Sequence, residues 1–593
     1  MKENKKRSDV QEQLTWDLSA LFASDAALKE EVAALEKESQ DFSQRCKDKM
    51  DTPESAKEAL DALRALLGRL IRAHTYAGLR TQTDSTDTEA QSLSLEAGMR
   101  LSAVNTRLQF VEQSLREMDE TQLEKIRSLG DYGAYMDEIF RQKEHALSPE
   151  VEEIVSSLQP VLDTPYTVYH RAKLADLRFP DFTVDGKTYP MSFGLFEGHY
   201  ENDPDTAVRR EAFDRFYEEL AKYRHTMAAT LNAEMQKEKI MARLKGFDSV
   251  IDALLFRQNV DRSLYERQIE GIRNDLPPVM RTYAKVIQDT YQLEEMTFSD
   301  LLVPLDPAFE PEVTIEDAKE TLLNALAPLG EKYLANIERA FSERWIDFPE
   351  NEGKATGAFC SSPYGAHPYV LISWTASQRE LFVLAHELGH AGHFALSQAA
   401  QHVLHTRPSM YLIEAPSTMN ELFVAEYLMQ HTDDARMKRW IRGTMIARTY
   451  YHNFVTHGIE AIFQKEAYEI VDRGGALSAD LLDGLFLETL EDFWGDAVVI
   501  PKGAEKTWMR QPHYYMGLYP YTYSAGLTLG TEANRRITEE GDEAVADWIR
   551  FLEAGGTKDV FGLADLAGVD LRTDEPLKNA IAKIEDLIDG LRE

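Results

Sequence analysis

The chain has 593 residues, of which 43% are hydrophobic, so it is long and apolar enough to build more than one folded lobe. Acidic residues outnumber basic ones by 101 to 65, and the resulting formal charge of -36 disfavours binding to nucleic acid or anionic lipid. The two cysteines, Cys46 and Cys360, exclude a disulfide framework and a zinc site built from thiolates.

The N-terminal segment MKENKKRSDVQEQLTWDLSALF begins with basic residues but has no apolar run behind them, so we expect no signal peptide. No uninterrupted apolar stretch has the length of a membrane span. We therefore expect a cytoplasmic protein with neither a membrane nor a nucleic acid as partner. The sequence carries no signal for an oligomeric state.

Apolar residues recur at intervals of three and four from about residue 25 to residue 147, a pattern that predicts long packed helices. The segment FTVDGKTYPM then alternates apolar and polar residues around Asp185-Gly186, which predicts a β-hairpin. Helical patterns resume after it, at 204–245, 263–293 and 315–343.

A second strand-like segment, GKATGAFCSSPYGAHPYVLISW (353–374), directly precedes a helix rich in histidine. After that helix the pattern is helical almost to the end of the chain, interrupted by a Tyr-rich stretch at 511–526 that we expect to be irregular. The sequence thus predicts a mainly α fold with a small antiparallel β-sheet next to the histidine helix.

Residues 381–394, LFVLAHELGHAGHF, place three histidines and a glutamate in an apolar helix. His386, Glu387 and His390 match the pattern H-E-x-x-H. Residues four apart share one face of a helix, so the two imidazoles can bind one zinc ion at about 2.0 Å each. Glu387 lies about 100° around the helix, where a carboxylate can take a proton from a zinc-activated water. Burying these groups without a partner would cost free energy, so a zinc site is favoured over a satisfied polar cluster.

A catalytic zinc ion needs a third protein ligand. His393 shares the face of His386, but three side chains along two turns of one straight helix cannot converge on one ion. The metzincin pattern requires glycine at position 393 and histidine at position 396, where this chain has His393 and Leu396. We therefore expect His393 to pack near the site or to support a ligand, without binding the metal.

The preferred third ligand is Glu414, at the start of the helical segment YLIEAPSTMNELFVAEYLM. The interval from His390 to Glu414 is long enough for one helix to end, a loop to reverse and a second helix to return. Glu421, two turns later, projects on nearly the same side. It is a candidate hydrogen-bond partner for a ligand histidine, and the alternative is an ordinary salt-bridged helix residue.

The segments HELGHAGHF and EAPSTMNELF together resemble the M3 family of zinc metallopeptidases, the group of thimet oligopeptidase and oligoendopeptidase F. TWDLSALF, GAFCSSPYGAHPYVLISW, QPHYYMGLYPYTYSAGL and FLEAGGTKDVFGLADLAGVDL resemble further segments of the oligoendopeptidase F subgroup, so the resemblance covers nearly the whole chain. It implies a two-lobed, largely helical shell around a deep channel. We expect an N-terminal helical lobe with the β-hairpin at 1–200 and a catalytic domain at 201–593.

The resemblance also implies roles for single residues. His386, His390 and Glu414 would bind one zinc ion per chain, and Glu387 would be the general base. A histidine and tyrosines that stabilise the tetrahedral intermediate in the family correspond best to His513 and Tyr523, with Tyr519 and Tyr521 as further substrate-binding candidates. The spacing in this segment is one residue longer than in the thimet-type members.

The strand-like segment before the histidine helix gives a candidate for substrate binding. An exposed strand edge can pair with an extended peptide through backbone hydrogen bonds. We assign this role to the run from Gly357 to Ser361, with Gly357, Ala358 and Phe359 as the candidate substrate-binding residues. Cys360 in the same run is expected to be a small buried residue and not a nucleophile.

These observations predict a zinc-dependent endopeptidase that hydrolyses short peptides without a covalent acyl-enzyme. One alternative is a zinc carboxypeptidase or dipeptidase of similar build, which would need a fixed cation to bind the free C-terminus of the substrate. Arg407, Arg448 and Arg510 are near the motifs in sequence and are candidates for that cation. A second alternative is a peptide-binding protein with structural zinc, which would have no need of Glu387.

Overall fold

The computed structural model describes residues 5–592, and within this range the protein is mainly helical, as predicted. Its α-helices, numbered in chain order, are α1 (Asp25–Cys46), α2 (Pro53–Gln82), α3 (Thr88–Leu108), α4 (Phe110–Glu117), α5 (Glu120–Ser128), α6 (Gly133–Lys143), α7 (Pro149–Leu162), α8 (Thr164–Arg171), α9 (Phe193–Gly198), α10 (Thr206–Leu220), α11 (Arg224–Leu244), α12 (Val250–Gln258), α13 (Arg262–Asn274), α14 (Leu276–Tyr291), α15 (Ile315–Ala325), α16 (Glu331–Ser342), α17 (Gln378–Ala400), α18 (Ala415–Gln430), α19 (Ala435–Thr444), α20 (His457–Asp472), α21 (Ala479–Trp494), α22 (Pro520–Glu540), α23 (Asp542–Ala554), α24 (Val560–Leu566) and α25 (Glu575–Arg592).

The strands are β1 (Phe182–Val184), β2 (Lys187–Tyr189), β3 (Ile346–Asp347), β4 (Phe359–Ser361) and β5 (Tyr369–Leu371). Strands β1 and β2 form the predicted hairpin, with Val184 paired to Lys187. Asp185 and Gly186 in its turn both have positive φ, at 50° and 80°, as a tight two-residue hairpin turn requires.

The other three strands form the sheet that was expected before the histidine helix, in the order β3-β5-β4. Strand β4 pairs antiparallel with β5, as predicted, while the short strand β3 pairs with β5 in parallel. Strand β5 is fully buried, and its side chains alternate between two hydrophobic cores. Tyr369 and Leu371 pack into one core, and Val370 and Ile372 pack into the other.

The two cores divide the chain into two lobes. Apart from the two side chains of β5, the first core is built from residues between Trp16 and Ile139, and the second from residues between Tyr169 and Leu591. The hairpin belongs to the second core, through Phe182. The expected boundary at 200/201 therefore does not coincide with the division between the cores, since short strands carry no sequence signal for the core they pack against.

Helix α18 of the second lobe packs against α17 and also against α22. Helix α22 begins at Pro520, inside the Tyr-rich stretch that was expected to be irregular throughout. A proline is favoured at the first helical position because its missing N–H would have no partner there. In residues 5–592 no helix is both long enough and apolar enough to cross a bilayer.

Candidate metal centre and active site

His386 and His390 lie one turn apart on α17, and their side chains converge on Glu414. Nε2 of His386 is 3.3 Å from Oε2 of Glu414, and Nε2 of His390 is 3.5 Å from the same oxygen. The two rings are nearly perpendicular, at 84°. Two imidazole nitrogens and one carboxylate oxygen thus lie within 4.8 Å of one another.

Close packing of α17 against α18 makes this convergence possible. Glu414 immediately precedes α18, and Gly389 of α17 faces the first turn of that helix. A Cβ atom on Gly389 would lie 2.5 Å from the carbonyl oxygen of Pro416 and 2.5 Å from Cα of Ser417. Only glycine allows the two backbones to come this close.

The three side chains fit a zinc ion. Ligand atoms placed about 2.0 Å from a tetrahedral metal are about 3.3 Å from one another. The separations of 3.3 and 3.5 Å between the histidine nitrogens and the Glu414 oxygen match that geometry, and the donor set of two imidazoles and one carboxylate is typical of catalytic zinc sites.

Glu421 of α18 supports the first of these histidines. Its Oε1 lies 2.7 Å from Nδ1 of His386, and its Oε2 accepts a hydrogen bond of 2.5 Å from the Thr449 hydroxyl. A carboxylate on Nδ1 holds the proton there and leaves Nε2 free to bind a metal. Glu421 is therefore in contact with a candidate ligand histidine, as expected from the sequence. Thr449 holds the second carboxylate oxygen of Glu421 in place.

Glu387 is largely buried, with 6% of its surface exposed. Burial raises the pKa of its carboxyl above the ordinary value, while the nearby imidazoles of His386 and His390 oppose the rise. A carboxylate with a raised pKa is a better proton acceptor near neutral pH. Burial also raises the pKa of the Cys360 thiol to about 12, and the Glu387 carboxylate adds to this rise. That thiol stays protonated at neutral pH, as expected for a residue that is not a nucleophile.

Helix α22 lies directly against Glu414. A Cβ atom on Gly526 would be 2.7 Å from Cβ of Glu414, so this helix too depends on glycine for its approach. Tyr523 and Tyr519 precede Gly526 by three and seven residues and share its face. Their rings meet edge to face at 5.4 Å. Burial raises the pKa of both phenols and the Glu414 carboxylate raises it further, so both keep the proton that a hydrogen-bond donor needs.

His513 lies in the 3₁₀ turn Pro512–Tyr515 and completes this group of donors. Its ring is 5.6 Å from the ring of Tyr523 and 5.3 Å from that of Tyr519. The structure therefore brings together His513, Tyr519 and Tyr523 on the side of Glu414 that α22 covers.

The prediction that Tyr521 binds substrate is wrong. Its side chain is buried, its hydroxyl donates a hydrogen bond of 2.5 Å to Oε1 of Gln258, and its ring packs near Tyr411. Successive residues of a helix are about 100° apart, so Tyr521 points away from the face that carries Tyr519 and Tyr523. It belongs to the hydrophobic core.

Of the two roles expected for His393, packing near the site is the one that its surroundings support. Its ring is fully buried and nearly parallel to that of Phe551, at 5.8 Å between centroids. Neither ring nitrogen has a hydrogen-bond partner among residues 5–592. Burial lowers the pKa of His393 to about 3, so the ring is neutral at physiological pH.

The expected substrate-binding run lies at the edge of the three-stranded sheet. Strand β4 pairs with β5 on one side only, and it begins with Phe359, directly after Gly357 and Ala358. It packs close to α17, the helix that carries His386 and Glu387. The second side of this strand is therefore placed where an extended peptide could pair with it.

Three titratable residues that the sequence analysis did not single out lie beside His513 and Tyr523. They are His452, in the π-helical segment Met445–Thr456, and His457 and Glu460 at the start of α20. The segment YYHNFVTHGIE places them within an otherwise apolar stretch, which is the same kind of signal that the histidine helix carries. Their closeness to His513 was not predictable, because more than fifty residues separate it from them.

The three arginines that were candidates for binding the C-terminal carboxylate of a substrate, Arg407, Arg448 and Arg510, have different surroundings. Arg510 is largely buried and forms ion pairs with Glu197 and Glu201, so it is not available to a substrate carboxylate. Arg407 lies over an aromatic ring of α17. Arg448 lies within the π-helical segment Met445–Thr456 and is exposed. It has no acidic side chain within ion-pair distance in the described part of the chain.

Comparison with known proteins connects this geometry to a family. The sequence model of peptidase family M3 matches residues 199–583, and that of oligopeptidase F matches residues 115–179. Oligopeptidase PepF of Bacillus subtilis (strain 168) is 29% identical over 600 residues, which cover 99% of this chain and 88% of the relative.

Solved structures share the fold. Oligoendopeptidase-F from Enterococcus faecium is 22% identical with a TM-score of 0.73, covering 96% of this chain and 98% of the other. A protein from Chlamydophila abortus is 24% identical with a TM-score of 0.88, covering 99% of both chains. A helical fold with these relatives and with an H-E-x-x-H helix at its centre defines a peptidase. The chain belongs to peptidase family M3, whose model matches more than half of it.

Proposed function

We propose that this member of family M3 is a zinc-dependent endopeptidase that hydrolyses internal bonds of short peptides. The observation that carries the proposal is the convergence of His386 and His390 on Glu414, with Glu387 in the same turn of α17. The names of the relatives, oligopeptidase and oligoendopeptidase, support short peptides as substrates.

His386, His390 and Glu414 would hold the zinc ion, and Glu421 would keep the ring of His386 in the orientation that binding needs. A bound zinc ion supplies a Lewis acid that polarises the scissile carbonyl and makes water easier to deprotonate. Glu387 takes the proton from the attacking water and then donates it to the leaving amine. This direct attack by water requires no nucleophilic side chain and forms no acyl-enzyme.

Charge develops on the substrate's carbonyl oxygen as water attacks. Tyr523 and His513 would donate hydrogen bonds to that oxygen, and Tyr519 lies next to both. Loss of one such donor commonly lowers kcat by about 10²–10³-fold. The open side of β4, with Gly357, Ala358 and Phe359, would hold the substrate backbone in an extended form.

Digestion of a mixed peptide library, analysed by mass spectrometry with and without a metal chelator, tests this function. We expect cleavage at internal bonds of short peptides, loss of cleavage with the chelator, and recovery on addition of zinc. Cleavage that persists in a chelator-treated protein shown to be free of metal would refute zinc dependence. Absence of cleavage by the zinc-loaded protein would favour a peptide-binding role.

A second candidate function is cleavage near the C-terminus of the peptide, because the exposed guanidinium of Arg448 could bind a free carboxylate. The same peptides with amidated C-termini separate the two functions. An endopeptidase cleaves free and amidated peptides at the same internal bonds with similar kcat/KM. A carboxypeptidase or dipeptidase would lose most of its activity on the amidated form, and Arg448→Gln would reproduce that loss.

A further inference from the structure

A second cluster of titratable side chains, separate from the candidate metal ligands, lies against Tyr523. Oε2 of Glu460 is 2.7 Å from Nδ1 of His457 and 4.0 Å from Nδ1 of His513. Glu460 and His457 are each 1% exposed. Burying such groups costs free energy unless they are paired, and no step of the proposed reaction involves them.

The spacing in this cluster is that of hydrogen bonds and not of metal ligands. A distance of 2.7 Å between carboxylate and imidazole is a direct charge-assisted hydrogen bond, shorter than the separation of about 3.3 Å between two ligands of one zinc ion. On its other side His457 places Nε2 3.2 Å from Nε2 of His452, so one of these two nitrogens donates to the other.

The ring of His457 also stacks on the ring of Tyr523. The two rings are stacked at 3.9 Å and are 12° from parallel, and the ring of His513 is 5.1 Å from that of His457. Glu460 fixes the His457 ring, and the His457 ring in turn lies flat against Tyr523. One buried carboxylate therefore holds the ring that lies against both donors assigned to the substrate oxygen.

We propose that Glu460 is a positioning residue, which acts through His457 to orient Tyr523 and His513 for stabilising the tetrahedral intermediate. This inference rests on the proposed function. Burial alone would raise the pKa of Glu460, but its contacts with His457 and His513 outweigh burial and lower it to about 2. An ionised carboxylate at this place accepts hydrogen bonds only, which keeps a proton on Nδ1 of His457.

The first test compares Glu460→Gln with the wild type by steady-state kinetics on a peptide that the wild type cleaves. We expect kcat to fall by about 10–10²-fold, as for other carboxylates that orient an active-site histidine, while KM changes by less than about threefold. The zinc content should stay at one ion per chain. Glu234→Gln is the matched control, since Glu234 is also a buried glutamate but is paired with Lys237 away from these residues, and its kcat should be unchanged.

A double-mutant cycle separates positioning from general destabilisation. If Glu460 acts through Tyr523, Glu460→Gln in a Tyr523→Phe background should lower kcat by much less than it does in the wild type. Independent losses that multiply in the double variant would overturn the inference. Should Glu460→Gln not fold, His457→Asn tests the same connection, because it removes the ring between Glu460 and Tyr523.

Two further results would distinguish the possible failures. Two zinc ions per wild-type chain, with one lost in Glu460→Gln, would overturn positioning, because the cluster would then be a metal site. Zinc-dependent cleavage by the wild type with unchanged kcat in Glu460→Gln would overturn this inference and leave the proposed function intact. Absence of zinc-dependent cleavage by the wild type would overturn both.

Discussion

Oε1 of Glu421 lies 2.7 Å from Nδ1 of His386, while Thr449 holds the other oxygen of the same carboxylate. Glu421 therefore has no freedom to turn away, and His386 has one orientation in which its Nε2 faces Glu414. The position of one candidate metal ligand thus depends on a residue two turns into the following helix.

Removing the charge of Glu421 should weaken zinc binding without abolishing it. We expect Glu421→Gln to lower zinc affinity by about 10–10²-fold, because the amide orients the His386 ring less firmly than the carboxylate does. Competition with a chromogenic chelator measures the affinity. Thr449→Val, which frees one carboxylate oxygen, should give a smaller effect in the same direction, and an unchanged affinity in both variants would contradict the role of this contact.

Glu387→Gln should separate metal binding from catalysis. The amide is similar in size and lies outside the proposed ligand set, so the variant should bind zinc with an affinity close to that of the wild type. It cannot take a proton from water, and we expect kcat to fall by at least about 10³-fold. Zinc content by atomic absorption and single-turnover hydrolysis give the two measurements. Normal turnover by the variant would exclude Glu387 as the base.

Gly389→Ala should disturb the metal centre by steric contact alone. Its new methyl group would lie 2.5 Å from the backbone of α18, so that helix and the adjoining Glu414 must move. We expect lower thermal stability and weaker zinc binding. Gly98→Ala is the control, since Gly98 lies in helix α3 with no neighbouring atom within 4 Å of the added carbon. That change should stabilise the protein by about 0.5–1 kcal/mol, because alanine favours the helix.

Acid stability should depend on Asp300, which is fully buried between Arg209 and Arg210. Burial alone would raise the pKa of Asp300, but hydrogen bonds from Arg210, Arg209 and Thr297 outweigh burial and lower it below 3.8. Because the pKa of Asp300 is lower in the folded state, the ion pair stabilises the protein at pH values above the pKa that Asp300 has in the unfolded chain. That contribution is lost as the pH falls through the unfolded pKa toward the lower folded value.

Asp300→Asn should therefore destabilise the protein at neutral pH by about 3–5 kcal/mol, since it leaves the buried Arg209 without its counter-charge. As the pH falls below 3.8 the difference from the wild type should shrink. Urea unfolding at a series of pH values measures both effects. Asp289→Asn, in an exposed pair with Lys285, should cost less than about 1 kcal/mol at any pH.

Local sequence was sufficient to predict the part of the site that lies on α17 and α18. The spacing of His386 and His390 requires a helix to place both rings on one face, and the interval to Glu414 allows one reversal of the chain. It was not sufficient for the Tyr-rich segment. Whether Tyr519, Tyr521 or Tyr523 faces Glu414 depends on where α22 begins, and a shift of that start by one residue rotates every side chain by about 100°.

The sequence by itself determined the residues of the candidate site: two imidazoles at helical spacing, a glutamate beside them, and a carboxylate within reach along the chain. Only the tertiary structure decided how His513, Tyr519 and Tyr523 are placed relative to the residues of α17 and to Glu414. Helices α17 and α22 approach Glu414 and the start of α18 through close contacts at Gly389 and Gly526, and the cluster around Glu460 lies near His513 across more than fifty residues of chain. A local sequence pattern indicates which face of its own helix a residue occupies. Contact between two helices that are far apart in sequence depends instead on how the whole core packs.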